Sequence, residues 1–125
     1  MKQIRIGTFQ LGHRNVELFA VPEDFGGEFY FAPDRKSIPR IKVGLDAKHW
    51  DECVTWLLHE TIEFSMCDKD LRFAHSGKSN YDTGDFCFHF DHSQFGRICS
   101  DVAIFMTAAL PELSTAYRKY RKGKR

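Results

Sequence analysis

A chain of 125 residues with 42% hydrophobic side chains and 14% aromatics has the apolar material for one core and one domain. Its opening residues, Met1 to Ile6, alternate polar and apolar and include no run of signal-peptide or membrane-span length, so the expectation is a cytoplasmic protein with no membrane role. The net charge of +1 hides an asymmetry: Arg118, Lys119, Arg121, Lys122, Lys124 and Arg125 supply six of the eighteen basic residues, and the acidic body they leave argues against a dedicated nucleic-acid-binding domain.

Segments of alternating or apolar character at Gln3–Phe9, Asn15–Val21, Glu28–Ala32 and Arg40–Leu45 are separated by Gly12 and by two turn-rich stretches, 22–27 and 33–39. They read as an N-terminal antiparallel β-meander. Asp46 is placed to cap a helix from about Ala47 to Met66, whose length and pattern exclude a strand. From Cys67 to Thr83 the chain is polar and turn-rich, which reads as a loop or lid. Gly77-Lys78-Ser79 inside it resembles the end of a phosphate-binding loop, but no glycine stands five residues before Gly77 and no strand precedes it, so a nucleotide site is rejected.

Phe86-Cys87-Phe88-His89-Phe90 alternates as a half-buried strand does, with three phenylalanines on one face. Asp91 then offers an N-cap, Gln94 completes a capping box, and Phe90 with Phe95 has the spacing of a hydrophobic staple. The helix that follows carries Phe95, Ile98, Cys99, Val102, Phe105, Met106 and Ala109 as one apolar stripe, and Pro111 kinks it or restarts it as a short helix through Tyr117. The expected architecture is therefore α+β: the meander, a long helix, a strand and a second long helix over residues 1–117, with 118–125 as a solvated basic tail. The four cysteines form no C-x-x-C pair and read as reduced thiols, with Cys53 and Cys99 on apolar helical faces.

The string that carries chemistry is Trp56-Leu57-Leu58-His59-Glu60-Thr61-Ile62-Glu63-Phe64. His59 and Glu63, four residues apart, share one helical face and can reach a single ion. Glu60, beside the first ligand, points to the flank where a base acting on metal-activated water belongs. Trp56, Ile62 and Met66 surround Glu63 on that face, so its carboxylate needs a partner, for which a divalent cation competes with a Lys or Arg from elsewhere. A third ligand is expected from His92 at the start of the second long helix, with His89 and His75 in reserve, giving two histidines and one glutamate. Such a carboxylate-containing set accepts Zn2+ or Mn2+.

Leu57 to Glu63 resembles the H-E-x-x-H helix of zincin metallopeptidases, with Glu63 in place of the second histidine. The longer stretch, from Ile41–Leu45 through that helix to Phe88–Phe95, resembles small phage and prophage proteins with minimal zincin-like cores. The resemblance implies a strand beside the active-site helix, His59 as a metal ligand, Glu60 as catalytic base and, for a phage-encoded chain, residence in the host cytoplasm. The expected function is a minimal zinc-dependent hydrolase acting on a peptide or protein that lies along Arg40–Leu45, with His75 and Tyr81 the candidates for oxyanion stabilisation. Its rival is a non-catalytic zincin-like module used as a structural or host-interaction protein.

Overall fold

The computed structural model describes residues 2–34, 36–74 and 86–124, apart from the side chains of residues 74 and 86. The α+β expectation holds. Strands β1 (Ile4–Leu11), β2 (Arg14–Val21), β3 (Gly27–Tyr30) and β4 (Arg40–Gly44) build one sheet. Helix α1 (Trp50–Asp68), the short strands β5 (Arg72–Ala74) and β6 (Phe86–Phe88), and helix α2 (His92–Gly123) follow.

Strand order departs from a simple meander at one join. The sheet runs β1-β2-β4-β3, with β1–β2 and β3–β4 antiparallel but β2 and β4 parallel. Burial explains which strand goes inside: Ile41 and Val43 of β4 are fully buried, whereas Glu28 and Tyr30 of β3 are exposed. The more apolar strand takes the central place and the more polar one the edge. The segment that makes this possible, 22–26, folds over the end of β4, where a side chain on Gly44 would come within 2.8 Å of the Glu23 carbonyl. Only glycine fits there without moving backbone.

Both helices lie on the face that buries Leu11, Val16, Leu18, Ala20, Ile41 and Val43. Phe9 meets Phe105 edge-on at 5.9 Å, tying β1 to α2, and Phe64 of α1 meets Phe29 and Phe31 at 6.0 and 5.7 Å. Such edge-to-face pairs add to the burial of the rings themselves. α2 is long and apolar enough to cross a membrane by length and composition. Here Ile98, Val102, Phe105, Ala109 and Leu113 make it a core helix against β1 and α1.

Arg14 had no role in the sequence reading. It is buried at the start of β2, donates hydrogen bonds to the Phe31 and Ala32 carbonyls, and stands 3.8 Å from the Asp68 carboxylate. Its guanidinium also lies over the Phe31 ring. These bonds hold Ala32 at φ +53, a conformation that a non-glycine residue adopts only when its surroundings enforce it.

Several local expectations change. α1 begins at Trp50, with His49 as N-cap and no side-chain capping bond, while Asp46 pairs instead with Lys124. Ala47 is buried, and its carbonyl accepts from the Tyr117 hydroxyl (2.9 Å), so the chain at 46–49 is held by tertiary contacts rather than recruited into the helix. The stretch read as a loop contains β5, which pairs with β6. α2 passes Pro111 without a break and reaches Gly123, so residues 118–123 are its last turns. The pyrrolidine sits on the solvent side, where the carbonyl it leaves unbonded can be hydrated. The Asp91–Gln94 capping box forms as expected, and Phe90 stacks on Phe95 at 5.8 Å. Cys53 and Cys67 are buried and Cys99 is exposed; all four cysteines are free thiols.

Candidate metal centre

On α1 the buried positions include Cys53, Leu57, Glu60, Phe64 and Cys67, in alternating steps of four and three. That stripe faces the sheet. Glu60 is its only carboxylate, and the fold buries it to 8% exposure. His59, one residue earlier, turns outward with 65% of its side chain exposed, and Glu63 stands between them at 18%. The sequence reading expected desolvation at Glu63; it falls chiefly on Glu60.

The three side chains converge. His59 Nε2 lies 2.7 Å from Glu63 Oε2, and one ligand atom from each of His59, Glu60 and Glu63 falls within 4.8 Å of the others. Burial pushes the Glu60 carboxyl up to about 7; His59 opposes the rise, and the negative charges of Glu63 and Glu28 add to it. A carboxyl so placed exchanges its proton near neutrality, as a general base must.

Edge strand β3 closes over Glu60. A Cβ on Gly27 would lie 2.8 Å from Glu60 Cγ and 3.2 Å from its Oε1, so a side chain there would collide with the carboxylate. Beside this contact opens a cleft of about 470 Å³, walled by β3 with Phe31 and Pro33 and reached by Glu60 and Arg72. The strand beside the site is therefore β3. Arg40–Leu45, expected to line the substrate, is β4 with neighbours on both sides, and its ladder has no open edge to offer.

His92, the expected third ligand, is not brought to this group. It is the first residue of α2, exposed beside Phe90 and Phe95. A helix start is steered by its cap and staple, and here both act within α2's own first turn. His89 sits on the outer side of the β5–β6 pair, with Nε2 3.2 Å from Cys87 Sγ and its ring against Phe73. His75 and Tyr81 lie outside the described residues. Among the described residues, the metal-ligating side chains that converge are His59, Glu60 and Glu63. His59 and Glu63 offer an imidazole nitrogen and a carboxylate oxygen, a pair that fits a divalent ion taking nitrogen and oxygen ligands, with the Glu60 carboxyl beside them.

Comparison with protein-family models, with curated proteins and with solved structures returns no match to this chain.

Proposed function

We propose that the protein is a minimal metal-dependent hydrolase acting on peptides, with His59 and Glu63 holding a divalent ion, zinc or manganese, and Glu60 as general base. The observation that carries this reading is the convergence of His59, Glu60 and Glu63 on one turn of α1, with the buried member poised near neutral pH. When bound, the ion supplies Lewis acidity toward a carbonyl and toward water. Glu60 accepts the proton of the attacking water and returns it to the leaving amine. Among the described strands β3 is at the sheet's edge, so its outer ladder is offered to an extended peptide, directly above that carboxylate.

A non-catalytic zincin-like module is the second reading, favoured by the position of His92 outside the group. One comparison separates the two. Glu60→Gln preserves size and shape, so it should retain the ion and the fold while cleaving an unstructured test protein about a hundredfold to ten-thousandfold more slowly. Metal-loaded wild-type protein that leaves a broad peptide panel intact favours the non-catalytic module. Undiminished cleavage by Glu60→Gln removes Glu60 from the mechanism.

A further inference from the structure

We propose that the cleft beside Glu60 receives the carboxyl terminus of a peptide whose last side chain is apolar, with Arg72 binding the terminal carboxylate. This deepens the functional reading and rests on it in taking the cleft as the substrate cleft. Phe29, Tyr30, Phe31 and Pro33 supply apolar and aromatic surface, and among the described residues that line the space Arg72 on β5 is the cation. Sites of this kind bind an apolar body and fix its orientation with a few placed polar groups.

The two carboxylates that line the cleft, Glu28 and Glu60, have neighbours of their own. Glu28 pairs with Lys42 at 3.5 Å on the outer side of the sheet, and Glu60 belongs to the cluster with His59 and Glu63. Arg72 contacts Cys67 Sγ through one terminal nitrogen at 3.7 Å. A guanidinium carries five N–H donors in a fixed fork, so it serves partners within the protein and an incoming carboxylate together. Its strand leads out of α1 through Leu71, whose amide bonds back to Met66 and whose carbonyl accepts from His89. That double tie fixes the base of Arg72 relative to the helix bearing Glu60. A chain seated with its terminus at Arg72 brings the peptide bonds just before the terminus toward Glu60, which makes the chemistry carboxypeptidase-like.

Calorimetric titration of the full chain with Ala-Ala-Ala-Phe and with its C-terminal amide tests this, once with a chelator present and once after loading with zinc. The wild type should bind the acid about tenfold more tightly than the amide under both conditions, as a charge-assisted pair provides. Arg72→Gln should bind the two equally, with an unchanged circular dichroism spectrum. Arg72→Lys, which keeps the charge but not the fork, should retain part of the preference and serves if the glutamine variant does not fold. Equal binding of acid and amide by the wild type overturns the proposal, as does a preference that persists in Arg72→Gln. An acid preference in protein that takes up no zinc sustains the carboxylate site while the metal reading fails; zinc uptake without the preference removes the carboxylate site alone.

Discussion

Glu60 is the residue on which the proposed chemistry turns, and its burial has a measurable signature. Its carboxyl holds a proton up to about 7 in the folded chain against an ordinary value of 4.5, so the folded state binds the extra proton between those limits. Stability should therefore fall as pH rises through that window, and the contribution is fully present only below it. In urea titrations of metal-free protein from pH 4 to 8, the wild type should lose on the order of 3 kcal/mol relative to Glu60→Gln. Parallel profiles would show that the carboxyl ionises without penalty. The His59–Glu63 pair was legible in the sequence because a four-residue step fixes two side chains on one helical face whatever surrounds them. Which glutamate is buried was harder to read, since the 53-57-60-64-67 stripe competes with an apolar set around Glu63, and only the sheet decides between them. Arg14 left no signal, because its acceptors are carbonyls more than fifteen residues away.

At the scale of elements, the strands and both helices followed from alternation, helical periodicity and the Asp91 capping box, all of them local patterns. Strand order did not. The placing of β4 between β2 and β3 rests on long-range pairing, and among the described strands it gives the edge place to β3 instead of the strand expected to carry substrate. β5 was missed because three residues give no period to detect. The contact of β3 with α1 makes a sharp prediction at Gly27. Gly27→Ala forces Glu60 aside, which should lower stability by about 1–3 kcal/mol, the usual cost of overpacking. It should also return the Glu60 pKa toward its ordinary value, readable by carbon NMR of the carboxyl. An unperturbed Glu60 in that variant would mean that β3 does not close over it. The end of α2 gives another. Tyr120 packs against the core and Lys124 pairs with Asp46, so a chain ending at Tyr117 should melt about 4 °C lower, equivalent to a loss of about 1 kcal/mol. An unchanged melting temperature would return residues 118–125 to the status of a solvated tail.

For the molecule as a whole, two helices on one face of a four-stranded sheet turn a local sequence string into a site with a cleft beside it. The sequence predicts a third ligand on α2, because the second helix must pack against the first. The helices do pack together, with contacts such as Trp50 on Tyr117 and Lys69 on Asp101, well along α2 from His92. Helix packing is set by the apolar stripe, and a residue at the helix start need not share in it. His92→Ala should accordingly leave metal content unchanged. Elemental analysis of the protein purified without added metal or an affinity tag, followed by zinc titration of wild type, His59→Ala and Glu63→Ala, tests the central claim most directly. The wild type should hold about one divalent ion per folded chain, and both variants should lose it with the fold intact. Folded wild-type protein that takes up no ion, or variants that keep it, would contradict that claim.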